Sequence, residues 1–188
     1  MGDKPLNGHR VLTLVTNYGV EQDELLVPLK RLREDGADVI VAAATADPVR
    51  TLVGDKDEGE TVRPDTTFDV VDPGDHQLLL LPGGTLNADQ LRLDGKALAL
   101  VKAFASSGRP IAAICHGPWA LVEADVVRGK TLTSYASLRT DIRNAGAASW
   151  VDEPVVSDTE GGYTLVTSRT PADLDAFLDA INKALVAF

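Results

Sequence analysis

The sequence predicts an α/β fold built around a doubly wound, mostly parallel sheet. The prediction rests on short, continuous apolar runs that alternate with helical patterns along the chain. The runs lie at residues 11–16, 39–44, 78–81 and 111–114. Uninterrupted runs of this kind are typical of parallel strands that are buried on both faces. Strands that alternate with helices indicate right-handed βαβ units, so we expect helices on both sides of one sheet.

Three helical patterns accompany these strands. Leu25, Leu29 and Leu32 share one face of a segment from about residue 22 to residue 35. The second pattern precedes Gly108, and its apolar stripe consists of Ala97, Leu98, Val101 and Phe104. The last helix is expected to start at Thr170 and Pro171, which are favourable residues for a helix N-terminus. Its buried stripe is predicted to contain Leu174, Phe177, Leu178, Ile181 and Leu185.

The length of 188 residues suits a single domain. We expect a polar N-terminal tail over residues 1–10 and one domain over residues 11–188. Residues 54–75 contain eight acidic and two basic side chains, with short β-like pieces. This segment is predicted to form a solvated hairpin at the edge of the domain, where its charge promotes solubility.

Composition excludes several classes of function. The net charge is −10, from 18 basic and 28 acidic residues, which argues against partners such as nucleic acid and anionic membranes. No apolar run approaches the roughly 18 residues that span a bilayer. One cysteine and three histidines leave few ligands for a transition metal. We therefore expect a cytoplasmic protein without a metal or a cofactor.

The strongest chemical signal surrounds Cys115. This residue follows the run at 111–114 directly, and a helical pattern begins again at Trp119. With no loop between strand and helix, the chain has to turn sharply at the cysteine, as in a nucleophile elbow, and Gly117 permits close packing behind the turn. A helix N-terminus lowers the pKa of a thiol. We therefore predict that Cys115 is an ionised nucleophile rather than a small core side chain.

Two other segments end strands at the same edge of the sheet. Glu21, Asp23 and Glu24 follow the first strand, and a carboxyl beside the thiol could exchange a proton with it or with substrate. The residues alone do not choose among these three. Gly83 and Gly84 follow the run at 78–81, where their N–H groups could face a developing oxyanion, with a plain turn as the alternative.

Six motifs, in order, resemble the PfpI family, part of the class I glutamine amidotransferase-like superfamily that includes the Parkinsonism-associated protein deglycases. The resemblance runs from about Arg10 to the C-terminus. The motifs are VEQDEL at 20–25, LPGG at 81–84, AICHGP at 113–118, NAG at 144–146, WVD at 150–152 and TSRTP at 167–171. The resemblance implies a flavodoxin-like, three-layer α/β/α sandwich and a homodimer or larger homo-oligomer.

The resemblance also implies roles for individual residues. By position, Cys115 matches the family nucleophile and Glu21 its supporting carboxyl. Gly84 and the backbone of His116 match the oxyanion donors. The His116 side chain matches a histidine that, in peptidase descriptions, pairs with the cysteine and with an acid from a neighbouring subunit. That acid aligns best with Asp89, after one extra residue in the preceding loop.

Three functional hypotheses follow from these residues. The leading one is a cofactor-independent glyoxalase or deglycase, in which Cys115 attacks a small carbonyl compound or a glycated protein or peptide and Glu21 shuttles protons. The second is an intracellular cysteine peptidase or amidase with His116 as base. The third is a redox sensor without catalytic activity, in which a reactive Cys115 is oxidised.

Overall fold

The computed structural model describes residues 4–188, and its main elements alternate between strands and helices. In that part of the chain the strands are β1 (Arg10–Val15), β2 (Tyr18–Glu21), β3 (Asp38–Ala43), β4 (Val49–Val53), β5 (Asp57–Val62), β6 (Thr66–Thr67), β7 (Leu78–Leu81), β8 (Ile111–Ile114), β9 (Thr131–Leu132), β10 (Ser149–Trp150), β11 (Val155–Asp158) and β12 (Leu165–Ser168). The α-helices are α1 (Gln22–Glu34), α2 (Thr85–Leu91), α3 (Gly95–Ser106), α4 (Pro118–Glu123), α5 (Arg139–Asn144) and α6 (Leu174–Ala187).

The main sheet has seven strands in the order β11-β12-β8-β7-β1-β3-β6. All neighbouring strands pair in parallel except β11, which pairs antiparallel with β12 at one edge. The five central strands follow the 2-1-3-4-5 order of a flavodoxin-like sheet. The predicted doubly wound fold is therefore confirmed.

Two apolar clusters cover the two faces of this sheet and give the molecule three layers. On one face α1 and α6 pack through the predicted stripes, with Leu25, Leu32, Phe177 and Ile181 buried. On the other face α3 and α4 contribute buried side chains that include Phe104 and Leu121. Among the helices described for residues 4–188, none is both long and apolar enough to cross a bilayer.

The N-terminal segment joins the core earlier than the sequence suggested. Leu6 is fully buried, and its N–H donates to the carbonyl of Asp35 at 2.9 Å. Arg10 already belongs to β1. The remainder of the predicted tail, residues 1–3, lies outside the described residues.

A second, three-stranded sheet stands beside the main one. It has the order β2-β4-β5, and β4 and β5 form an antiparallel hairpin whose tip and second strand belong to the acidic segment. The tip of this hairpin, residues 54–56, does more than keep the domain soluble. Gly54 and Asp55 at the tip contact Glu21 and Thr85 at the carboxyl edge of the main sheet, so part of the acidic segment forms a wall of the candidate site.

A buried ion pair holds the chain that leads into the opposite wall of that site. The Lys130 side chain is only 2% exposed and lies 3.5 Å from the carboxylate of Asp158, which is 8% exposed. Lys130 Nζ also donates to the carbonyl of Tyr163 at 2.5 Å, and the N–H of Thr131 donates to Asp158 at 2.6 Å. The pair therefore fastens the start of β9 to the end of β11.

We expect Asp158→Asn to destabilise the fold by about 3 kcal/mol, because removing one partner leaves a buried ammonium without a countercharge. Urea unfolding followed by circular dichroism measures this loss. Glu34→Gln, which breaks the exposed pair between Lys30 and Glu34, is the matched control and should change stability by less than about 0.5 kcal/mol. Equal effects of the two substitutions would contradict this account of Lys130.

Candidate active site

The turn between β8 and α4 places Cys115 in a conformation that is rare for a residue with a side chain. Its φ angle is 60°, in the left-handed region that normally favours glycine. The N–H of Cys115 donates to the carbonyl of Ser168 at 3.0 Å, and its carbonyl accepts from the N–H of Tyr135 at 2.9 Å. A Cβ atom at Gly117 would collide with the carbonyl of Leu81. The sharp turn predicted from the sequence is therefore present.

Backbone donors converge on the sulfur from two strand ends. The N–H groups of Gly84 and His116 point at the Cys115 side chain. Gly84 reaches this position with a φ of 80°. Gly83 has to be a glycine for a different reason, because a Cβ atom there would lie 2.8 Å from the His116 nitrogen and 2.9 Å from the Cys115 Cβ. The two glycines thus bring the end of β7 close to the thiol.

The carboxyl that faces the thiol belongs to Glu24. This side chain is fully buried in the first turn of α1, and its Oε2 accepts a hydrogen bond from the N–H of Gly83 at 2.7 Å. Its Oε1 makes no hydrogen bond to a nitrogen or oxygen of the described chain, and the carboxyl interacts with Cys115. Burial raises the pKa of Glu24 to about 8.

Glu21, the residue assigned to this place by position in the motif, has a different set of contacts. Its Oε2 accepts from the N–H of Gly54 at 2.9 Å and also faces the N–H of Asp55. Burial raises its pKa as well. The geometry therefore places Glu24, rather than Glu21, beside the sulfur, whereas Glu21 holds the tip of the hairpin.

The environment of Cys115 also changes the expected ionisation. Burial, together with the charge of Glu24, raises the pKa of the thiol, while the N–H groups of Gly84 and His116 lower it. The lowered pKa predicted from the helix N-terminus is thus outweighed by desolvation and by a like charge. Cys115 and Glu24 titrate as a pair, so their protonation has to be described for both groups together.

His116 lies on the open side of the sulfur. Its Nδ1 is 3.2 Å from Cys115 Sγ, so the contact required between a nucleophile and a base is present. Its Nε2 lies 3.5 Å from Thr85 Oγ1 and 3.4 Å from Ser137 Oγ. The ring stacks on Tyr135 with centroids 4.7 Å apart. Burial lowers the pKa of His116, which favours the neutral imidazole.

Three residues of the site were not found from the sequence: Asp55, Thr85 and Tyr135. Asp55 has a φ of 57° at the hairpin tip, and its carboxylate accepts from the N–H and the hydroxyl of Thr85 at 2.8 and 2.5 Å. A φ above zero is more accessible to aspartate than to most residues, but no local signal links this turn to Cys115. Asp89 is exposed on α2, and its pairing with a histidine of another subunit stays a prediction.

These groups enclose a cavity of about 300 Å³ above the sulfur. Its lining residues are Glu21, Glu24, Gly54, Asp55, Gly84, Thr85, Cys115, His116, Tyr135, Thr170 and Pro171. Three carboxyl groups and no lysine or arginine line it. No cluster of side chains suited to a metal ion occurs within residues 4–188. The cavity can therefore hold a small, uncharged or cationic molecule with a carbonyl group against Cys115.

Comparisons with known proteins agree with this architecture. Residues 9–184 match the DJ-1/PfpI family. The chain is 40% identical over 176 residues to "Deglycase PH1704" of Pyrococcus horikoshii, which covers 94% of this chain and 99% of the relative. It is 40% identical over 168 residues to "Protein/nucleic acid deglycase 2" of Escherichia coli, with 89% and 92% of the two chains covered.

Among solved structures, Drosophila melanogaster DJ-1beta superposes with a TM-score of 0.82 at 28% identity. The match covers 96% of this chain and 91% of that chain. The resemblance predicted from six short motifs is confirmed by these matches across nearly the whole length. The chain belongs to the DJ-1/PfpI family.

Proposed function

We propose that the protein is a cysteine-dependent enzyme that acts on reactive carbonyl compounds and needs no cofactor. Its substrates would be small aldehydes such as methylglyoxal and the adducts that they form on amines of proteins or peptides. The names of two relatives, both deglycases, support this class of reaction. The observation that carries the proposal is the buried Glu24 carboxyl beside the Cys115 sulfur, at the base of an open cavity.

The Cys115 thiol first gives its proton to solvent, and the resulting thiolate adds to the aldehyde carbon. A carbon–sulfur bond forms, and the electron pair of the carbonyl moves to its oxygen. The N–H groups of Gly84 and His116 lie beside the sulfur and stabilise that oxygen. Protonated Glu24 gives its proton to the oxygen, which leaves a hemithioacetal and a Glu24 carboxylate.

The later steps use the same carboxylate as a base. Glu24 removes the proton from the carbon attached to sulfur and returns it to the neighbouring carbonyl carbon, while the hydroxyl proton of the hemithioacetal passes to the former carbonyl oxygen, which gives a lactoyl thioester. Water hydrolyses the thioester to lactate and restores the thiol. For an amine adduct, the sulfur displaces the amine from the carbinol carbon, and Glu24 protonates the departing nitrogen. Both substrates then converge on one intermediate.

Cys115→Ala should abolish lactate formation from methylglyoxal, and Glu24→Gln should reduce kcat/KM by about 10²–10³-fold, because general acid–base catalysis contributes roughly that much. Glutamine preserves the acceptor for the Gly83 N–H while it removes the proton. Glu21→Gln preserves the contact with Gly54 and should cost less than about tenfold. Equal losses in the two glutamine variants would contradict the assignment of the proton shuttle to Glu24.

The Glu24→Gln variant also distinguishes the role of Glu24 in proton transfer from its effect on the reactivity of the Cys115 thiol. The charge of Glu24 raises the pKa of the Cys115 thiol, so Glu24→Gln should accelerate alkylation by iodoacetamide at a pH of about 9, above the Glu24 pKa of about 8, although turnover falls. Mass spectrometry of the intact protein follows the alkylation. Slower alkylation in Glu24→Gln would show that the carboxyl activates the thiol by another route.

The pH dependence of kcat/KM follows the single negative charge that Cys115 and Glu24 share. The reactive state has one proton fewer than the fully protonated pair, with the charge on sulfur and the proton on Glu24. Because the pKa of Glu24 is raised to about 8, kcat/KM for methylglyoxal should increase with pH and level off above an apparent pKa near 8. In Glu24→Gln this inflection should disappear from that position. A wild-type rate independent of pH between about 6 and 9 would contradict the coupling.

A peptidase or amidase is the second candidate, favoured by the 3.2 Å contact between His116 Nδ1 and Cys115 Sγ. In that reaction His116 would take the thiol proton and later protonate the departing amine. His116→Gln should then abolish cleavage of peptide amides by the homogeneous protein. Lactate formation by the wild type, without any amide cleavage, supports the carbonyl reaction instead.

A further inference from the structure

The imidazole of His116 is connected to a carboxylate of its own chain through Thr85. On one side of the ring, Nδ1 is 3.2 Å from Cys115 Sγ. On the other side, Nε2 is 3.5 Å from Thr85 Oγ1, which lies 2.5 Å from Asp55 Oδ2. The second oxygen of Asp55 accepts the Thr85 N–H at 2.8 Å. Sulfur, imidazole, hydroxyl and carboxylate thus form one connected series.

The direction of each hydrogen bond follows from the donors available. An ionised carboxylate only accepts, so the Thr85 hydroxyl has to donate its single hydrogen to Asp55. The Thr85 oxygen then has only lone pairs to offer to His116. Consequently Nε2 carries the ring hydrogen of the neutral imidazole, and Nδ1 presents its lone pair to the sulfur.

We propose that Asp55 and Thr85 are positioning residues that hold His116 in the Nε2–H tautomer, so that Nδ1 is free to accept the proton of Cys115. In that transfer the S–H bond breaks and an Nδ1–H bond forms, which yields a thiolate and an imidazolium. The imidazolium then passes the proton to solvent, which leaves the Cys115–Glu24 pair with its single negative charge. The Asp55 charge stabilises the imidazolium through Thr85. The inference deepens the proposed function and rests on Cys115 as its nucleophile.

The hairpin that carries Asp55 is held in place for this task. The N–H of Gly54 donates to Glu21 at 2.9 Å, and Asp55 occupies a left-handed turn position with a φ of 57°. The acid that orients His116 is therefore supplied within one chain. The family resemblance instead implies that this acid comes from a neighbouring subunit, at the position of Asp89.

Other groups around the ring do not impose a tautomer. Ser137 Oγ lies 3.4 Å from Nε2, but this hydroxyl is exposed and makes no contact with a carboxylate, so it can donate or accept. Tyr135 stacks on the ring face. Cys115 and the nearby Glu24 lie on the Nδ1 side of the ring. Thr85 is thus the partner of Nε2 that already donates its only hydroxyl hydrogen to Asp55.

The experiment reads the tautomer directly by long-range ¹H–¹⁵N correlation spectra of the histidine-labelled protein at pH 7.5, with His9 and His76 as internal references. The wild type should show a hydrogen-bearing Nε2 and a bare Nδ1 in His116. In Asp55→Asn, the new amide can donate to Thr85, whose hydroxyl then turns to Nε2, so the ring hydrogen should move to Nδ1. Asparagine tolerates the left-handed turn, which keeps the hairpin intact.

Matched variants distinguish this role from a merely structural one. Thr85→Val should weaken the tautomer preference and lower kcat for methylglyoxal by about tenfold or more, with KM nearly unchanged. Thr85→Ser, which restores the hydroxyl, should recover the wild-type spectrum and most of the rate. Asp57→Asn, on the same hairpin, should leave the tautomer as it is in the wild type.

Two results would overturn the inference: a hydrogen on Nδ1 in the wild type, or an unchanged tautomer in both Asp55→Asn and Thr85→Val. A shift in Asp89→Asn without one in Asp55→Asn would likewise overturn it, in favour of an acid from another subunit. Because the spectra need no substrate, they are independent of the proposed activity. A protein with the predicted tautomers but no action on methylglyoxal would refute the carbonyl reaction and leave this inference standing.

Discussion

The site depends on one constraint: two acids, Cys115 and Glu24, are buried side by side with room for a single negative charge. Neither can ionise freely, because burial raises the pKa of both groups and Glu24 further raises the pKa of the Cys115 thiol. The surrounding backbone accommodates the one charge through N–H groups at strand ends. Gly83 and Gly84 bring those groups close, and any side chain at Gly83 would press on the elbow. Reactivity is therefore a property of the pair rather than of the sulfur alone.

Much of the fold follows from patterns that act over short distances. The strands at Leu78–Leu81 and Ile111–Ile114 are where the apolar runs placed them, and the stripes of α1 and α6 are buried. Strand β12 was not predicted, because its four residues are not part of a longer apolar run. The elbow was predictable because strand and helix leave no residues for a loop. These features depend on the period of the apolar residues and on the spacing between elements, both of which can be seen in a single sequence.

The choice between Glu21 and Glu24 shows where motif position and helical geometry diverge. Glu24 lies next to Leu25 and four residues before Pro28, and all three are buried. The helical period therefore predicts that Glu24 faces the sheet, whereas its position in the motif points to Glu21 as the supporting carboxyl. No such signal existed for Asp55, since its approach to Thr85 depends on how a separate hairpin folds over the edge of the main sheet. Contacts of that kind join elements 30 residues apart in sequence.

The separate hairpin contributes to both recognition and chemistry. Its strand β4 pairs with β5 and with β2, and neither hairpin strand pairs with the strand that ends at the nucleophile. A loop grafted at the tip therefore changes the rim that a substrate meets and, unless it keeps Asp55, also removes the carboxylate that orients His116. New substrate preferences can be selected or engineered on this hairpin, with Asp55 retained, while the turn at Cys115 keeps its shape.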